Sequence, residues 1–205
     1  MTPVVGFLLA ANIAVYLLQQ MAADGLFTHF ALWPLGSYFV QYFGRVGFEP
    51  WQLITTAFLH GGFSHIAFNM FALWSFGTMV ERAVGSKRFG WLYLVSVLSA
   101  SLVQLLVVTA TADQGAVPTV GASGGVFGVL LAFAFLFPNQ RLIVFPIPIP
   151  LKAWVLVAGY AVIELTSGVF GTMQGVAHFA HLGGMLGAGA MLFYWWHSAS
   201  RPTRY

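Results

Sequence analysis

The sequence predicts an all-α polytopic membrane protein with six transmembrane helices and both termini cytoplasmic. Three observations carry that reading. Of 205 residues, 59% are hydrophobic and 6% charged, with a mean hydropathy of +0.84, whereas a soluble domain carries about a quarter charged residues. Six stretches, charge-free apart from one glutamate, are near the length needed to cross a bilayer, about 20 mostly apolar residues. Lys and Arg gather in alternate loops, as they do on the cytoplasmic side of membrane proteins. With no cysteine, disulfides, thiolate metal sites and cysteine nucleophiles are excluded. The net charge of +3 resides in loops, so no nucleic-acid partner is expected; the bilayer is the solvent.

The first span covers about residues 4–23. It lacks a basic n-region and is too long for a signal-peptide h-region, so a retained anchor is expected. Residues 24–61 form the outer loop. Within it, 25–44 is uncharged, but His29, Trp33-Pro34 and Gly36-Ser37 interrupt any helix and would leave backbone groups that lipid cannot satisfy. It is expected to lie in the interface. The remaining spans cover about 62–80, 89–109, 120–137, 153–170, which contains Glu164, and 176–196.

Arg82, Lys87 and Arg88 follow the second span, Arg141 and Lys152 the fourth, and Arg201 and Arg204 the sixth, which is seven of the eight basic residues. The intervening loops hold Arg45, Asp24, Glu49 and Asp113. That asymmetry sets the orientation. Trp91, Tyr93, Trp154, Tyr194, Trp195 and Trp196 fall at the cytoplasmic ends, as an aromatic belt would. Residues 1–205 are expected to be a single membrane domain without repeats.

Polar residues inside a bilayer are costly and mark function by default. Here they converge. His60, His65 and Asn69 lie at the outer end of the second span, Ser123 near the outer end of the fourth, and His178 and His181 near that of the sixth. Counting 1.5 Å per residue puts Ser123 about 5 Å and His181 about 8 Å inside the boundary. His65 and Asn69 share one helix face, and so do His178 and His181. Around Ser123, Gly121 and Gly125, or Gly124 and Gly128, would allow close helix approach, and Gly184 and Ala188 would do so on the sixth span.

Close packing of the fourth and sixth helices would bring a serine hydroxyl and an imidazole within hydrogen-bonding range. Serine is a poor nucleophile until a neutral imidazole accepts its proton, and the same ring can return that proton to a leaving amine. A tetrahedral intermediate also needs donors aimed at its oxyanion. His65, Asn69 and the Ser123 N–H, at an unfinished helix start, supply them. No acid is near His181 in sequence, and Glu164 is the only carboxylate expected within a helix. A Ser–His dyad is therefore expected, with Glu164 structural. Singly, a serine in a Gly-rich span is a packing residue, and His60 or His178 a structural or supporting one; His29 and His197 are assigned to the interface.

At these residues the chain resembles the rhomboid family of intramembrane serine proteases. The marks are Glu49-Pro50-Trp51-Gln52, His60-x4-His65-x3-Asn69, Gly121-x-Ser123-Gly124, and Ala180-His181 followed by glycines. The resemblance spans nearly the whole chain and implies a rhomboid-like bundle. It implies Ser123 as nucleophile, His181 as base, and His65 and Asn69 with Ser123 in the oxyanion hole. His60, Gly121, Gly124, Phe127 and Trp51 are supporting. Two departures stand out. Gln52 replaces the family's arginine, which bears on loop anchoring, and Phe127 replaces an aromatic that is often tyrosine, keeping a stacking face but no O–H.

The implied activity is cleavage of transmembrane segments near the outer face of the bilayer, at small residues with Gly or Pro nearby. Substrate would enter beside the fifth helix, with 166–175 as a cap whose Gly168, Gly171 and Gly175 let it move. A bacterial cytoplasmic membrane is the expected setting, and no cofactor or metal is expected. Competing readings are a catalytically silent rhomboid-like helix-binding protein and a membrane haem or metal protein using His60, His65, His178 and His181. Transport is disfavoured because the polar residues stop at one side. Natural substrate and oligomeric state are not encoded in any motif.

Overall fold

The computed structural model describes residues 1–112, 116–144, 147–172 and 175–199. Asp113, Arg201, Arg204 and the middle of the expected cap, 173–174, lie outside them. The described residues form a bundle of six helical rods. α1 runs Pro3–Phe30, starting with Pro near its N-terminus, where the missing N–H costs nothing. It extends past the expected end at 23, because Asp24-Gly25 does not stop it. The break appears instead as a kink at Ala22, with φ −144° and ψ 43°.

The loop that follows does not cross the bundle. It carries an antiparallel hairpin, β1 Tyr38–Val40 with β2 Gly44–Val46, then α2 Gln52–Thr55 and a tight turn Thr56–Phe58. The second rod is α3 Phe63–Ala72, one wider π turn Leu73–Gly77, and α4 Thr78–Val84. Gly85, at φ 83°, turns the chain into α5, Ser86–Ala110. α6 is Ser123–Leu136, 14 residues and so only about 21 Å long. A second hairpin, β3 Arg141–Val144 with β4 Ile147–Lys152, leads to α7, Ala153–Phe170, and α8 is His178–Ala199. The first hairpin is too short for periodicity to announce it in sequence, and the prolines of β4 mask the second. α1, α5 and α7 are each long and apolar enough to cross a membrane unaided.

The centre of the bundle is α8 packed between α5 and α6, and glycine makes that possible. A Cβ on Gly184 would run into the Gly124 carbonyl, and one on Gly128 would lie 2.9 Å from the Gly184 carbonyl. The α6–α8 contact expected from small residues is therefore present. α5 was not expected in it: Gly187 has the Val95 carbonyl 2.8 Å from where its Cβ would be, and Gly183 has Ala100 Cα at 3.0 Å. Gly125 faces Tyr93 and Val97 of α5, not α8.

Two sequence readings need correction. Tyr93 is not in an aromatic belt but buried beneath Gly125; Trp91, Trp154, Tyr194 and Trp196 are exposed, and Trp195 packs under Arg88 at 5.8 Å. Glu164 is not the only helical carboxylate. Glu81 on α4 is buried and accepts the Val4 and Val5 amides at 3.0 and 2.9 Å and the Ser86 hydroxyl at 2.6 Å. It satisfies amides that the first turn of α1 leaves unpaired.

The glycine contacts set a stability test. Gly184→Ala should lower stability by about 1–3 kcal/mol through forced helix separation, read as a lower thermal midpoint in detergent. Gly90→Ala, with nothing within 4 Å of its Cβ position, should not lower it.

Candidate active site

Ser123 opens α6, so its own amide and those of Gly124 and Gly125 have no partner one turn back. The chain reaches it along a tethered strand: Thr119 exchanges backbone bonds with Leu32 at 3.0 Å, Thr56 donates its hydroxyl to the Thr119 carbonyl at 2.6 Å, and the Gly121 amide donates to the Thr56 carbonyl at 2.9 Å. Gly121 is needed twice over. Its φ of 134° is outside the range of L side chains, and a Cβ there would sit 2.8 Å from His65 Nε2.

The Ser123 hydroxyl lies 2.8 Å from His181 Nε2. The imidazole stacks on Phe127, centroids 4.1 Å apart and planes 5° off parallel, as expected for an aromatic one turn after the serine. On the side of the ring away from Ser123 stands a carboxylate to which the sequence assigns a structural role. Glu164, buried on the inner stripe of α7, brings Oε2 within 3.0 Å of His181 Nδ1. The approach is bent, since Nδ1 has no well-aligned hydrogen bond. The aligned partner of that oxygen is His178 Nδ1 at 2.6 Å, and His178 Nε2 faces the Thr172 carbonyl at 3.2 Å. Sequence separation hid this carboxylate. Counting back from Phe170 puts Glu164 about 9 Å from the end of its helix, close to the depth of His181.

His65 comes to the site, beside Gly121, and Asn69 follows it one turn along α3. His65 Nδ1 accepts the Gly61 amide at 3.2 Å, so a neutral ring carries its proton on Nε2, the atom that faces Gly121. Asn69 donates one amide hydrogen to the His65 carbonyl at 2.9 Å and has a second. His60 is not at the nucleophile. Its ring is 1% exposed and sits edge-on to His65 at 5.2 Å, while its backbone pairs reciprocally with the Gln19 side chain, both bonds 2.9 Å. Burial, with the neighbouring His65 adding to it, lowers the His60 pKa to about 4, so the ring is neutral at physiological pH. Among the described residues, no three His, Asp or Glu side chains converge as metal ligands would.

Trp51 stands apart, half exposed, with its indole N–H on the His29 carbonyl at 2.8 Å. Beside it Gln52, fully buried, accepts the Trp33 amide at 3.2 Å and donates to the Gly47 carbonyl at 3.2 Å. The loop is anchored without an arginine. Thr56, Ser101, Gln104 and Thr119, none singled out in sequence, line with Ser123 a cavity of about 20 Å³, room for one water.

The sequence profile of the Rhomboid domain matches residues 47–198. Similar proteins include Rhomboid protein 1, mitochondrial, of Saccharomyces cerevisiae, 36% identical over 148 residues, which are 72% of this chain and 42% of that one. The Rhomboid protease GluP of Bacillus subtilis is 32% identical over 142 residues, 68% of this chain and 25% of GluP. The Presenilin-associated rhomboid-like protein, mitochondrial, of Rattus norvegicus is 31% identical over 138 residues, 65% and 35% of the two chains. The match thus spans less than half the length of each relative.

His60 sets a pH test. A histidine whose folded value lies below its ordinary 6.5 takes up a proton more readily once unfolded, so its stabilisation is complete above about pH 6.5 and is lost as the pH falls towards 4. The thermal midpoint of the wild type should fall across that window. His60→Gln should fall less steeply, and parallel curves would remove His60 as a source of acid lability.

Proposed function

The chain belongs to the rhomboid family, and on that basis we propose that it is a serine endopeptidase cutting transmembrane segments of membrane proteins. The observation that carries the reading is the 2.8 Å contact between the Ser123 hydroxyl and His181 Nε2 at the unpaired start of α6. Ser123 attacks the scissile carbonyl while His181 takes its proton, then hands it to the leaving amine, and a water repeats the sequence on the acyl-enzyme. The Ser123 amide, His65 Nε2–H and the second Asn69 amide hydrogen are the donors for the oxyanion. The small cavity beside Ser123, lined in part by Thr56, Ser101, Gln104 and Thr119, is a place from which hydrolytic water could reach the serine.

A substrate helix protects its own carbonyls, so it must unwind locally before Ser123 reaches one. Helices weakened by Gly or Pro, with small residues at the cut, meet that requirement at least cost. Entry beside α7 is supported by its outer surface, where Val162, Ile163, Leu165, Val169 and Phe170 are exposed. Gly171 and Gly175, at φ 65° and 85°, are turning points for the cap. The distribution of Lys and Arg supports cytoplasmic termini and a site opening to the opposite side. In this reading residues 1–205 form a single membrane domain that carries Ser123 and His181.

Labelling of the detergent-solubilised protein with a fluorophosphonate tests the nucleophile. Label is expected on wild type and lost in Ser123→Ala and His181→Ala, in parallel with cleavage of a single-span reporter. Asn69→Ala should slow cleavage on the order of 10²-fold with the fold retained. A folded wild type that neither labels nor cleaves would assign the chain to silent helix-binding proteins.

A further inference from the structure

Phe127 fixes the plane of the His181 ring by stacking at 4.1 Å, but stacking does not tell one face of an imidazole from the other. A half-turn about the Cβ–Cγ bond leaves the ring against Phe127 and removes the nitrogens from their places. Something at the ring edge has to select the orientation that puts Nε2 on Ser123. Glu164 is the charged group there, with Oε2 3.0 Å from His181 Nδ1. Glu164 is itself held: the same oxygen bonds His178 Nδ1 at 2.6 Å, and His178 reaches from Nε2 to the Thr172 carbonyl just beyond α7.

We propose that Glu164 is a positioning residue for His181, kept in place by His178, so that α7, α8 and α6 together contribute Glu164, His181 and Ser123 to one relay. The inference rests on the protease reading above. A carboxylate at Nδ1 keeps the proton on that nitrogen, leaves the Nε2 lone pair for the serine, and steadies the imidazolium formed as the serine loses its proton. No proton passes to Glu164. The bent geometry does not exclude the role, because such contacts tighten once substrate is bound. Both Glu164 and His178 are buried, 7% and 6% exposed, so the carboxylate acts with little screening by water.

The experiment measures reporter cleavage, fluorophosphonate inactivation and thermal midpoint for wild type, Glu164→Gln, Glu164→Asp and His178→Gln, with Ser123→Ala as the blank. Glu164→Gln keeps size and hydrogen-bonding capacity but loses the charge. It should lower kcat on the order of 10²-fold, with KM and midpoint unchanged, and slow inactivation in parallel. Glu164→Asp should recover most of that loss, and His178→Gln should fall between the two. A Glu164→Gln enzyme within about threefold of wild type would overturn the inference while leaving the protease reading intact. So would a loss of activity matched by a fall in midpoint, which makes the residue structural. An inactive, unlabelled wild type would overturn both.

Discussion

Everything at the serine depends on two backbones touching. The Gly124 carbonyl on α6 occupies the place where a side chain on Gly184 of α8 would begin, and no residue larger than glycine fits that contact. Helix association in lipid has no hydrophobic drive between rods, so it rests on packing at short range. Here the packing does more than hold the bundle. Because the helices meet one residue past Ser123 and three past His181, the contact sets the distance between hydroxyl and imidazole, and the 2.8 Å separation follows from it. α5 backs the arrangement, with Ala100 against Gly124 and Gly183.

A second constraint comes from the backbone itself. α6 begins only at Ser123, so the chain leading to it is irregular, and in lipid its backbone polar groups would go unsatisfied. The first loop covers it. Leu32 pairs with Thr119, and Thr56 accepts the Gly121 amide on its carbonyl and donates its hydroxyl to the Thr119 carbonyl. That loop is in turn fixed by Gln52, Trp51 and the Gln19–His60 exchange. Loop and site are therefore one structure, although the loop contributes no reacting atom.

The sequence made the spans and the Ser123–His181 pair legible for the same reason: polar residues and glycine runs are rare in a bilayer, and helical rise converts position into depth. It did not make direction around each helix legible. Glu164 had the right depth, but only the packing of α7 shows that it shares the inner stripe with Leu156, Val157 and Ser167. Glu81 was hidden by distance along the chain, since its partners Val4 and Val5 lie 77 and 76 residues away. Gln52 looked like a lost anchor because an arginine was the expected residue, yet a buried amide that both donates and accepts ties the same loop. The first hairpin has strands of three residues, too short for alternation to reveal, and β4 of the second carries two prolines, which argue against a strand.

The position of Glu164 also bears on how α7 moves. At its first turns, from Ala153 through Val157, α7 meets the bundle with apolar side chains, and exchanging those contacts for lipid costs little because lipid is equally apolar. At Glu164 the exchange is different in kind: parting α7 from α8 there would hand a carboxylate and two imidazoles to hydrocarbon, at a cost of about 2.5–3.5 kcal/mol or more for one charged group. The lowest-cost motion pivots at Glu164 and opens towards the ends of the helix. In the proposed protease, admission of a substrate beside α7 and orientation of the base by Glu164 would then be compatible, because the level at which α7 is hardest to displace is the level at which His181 needs it.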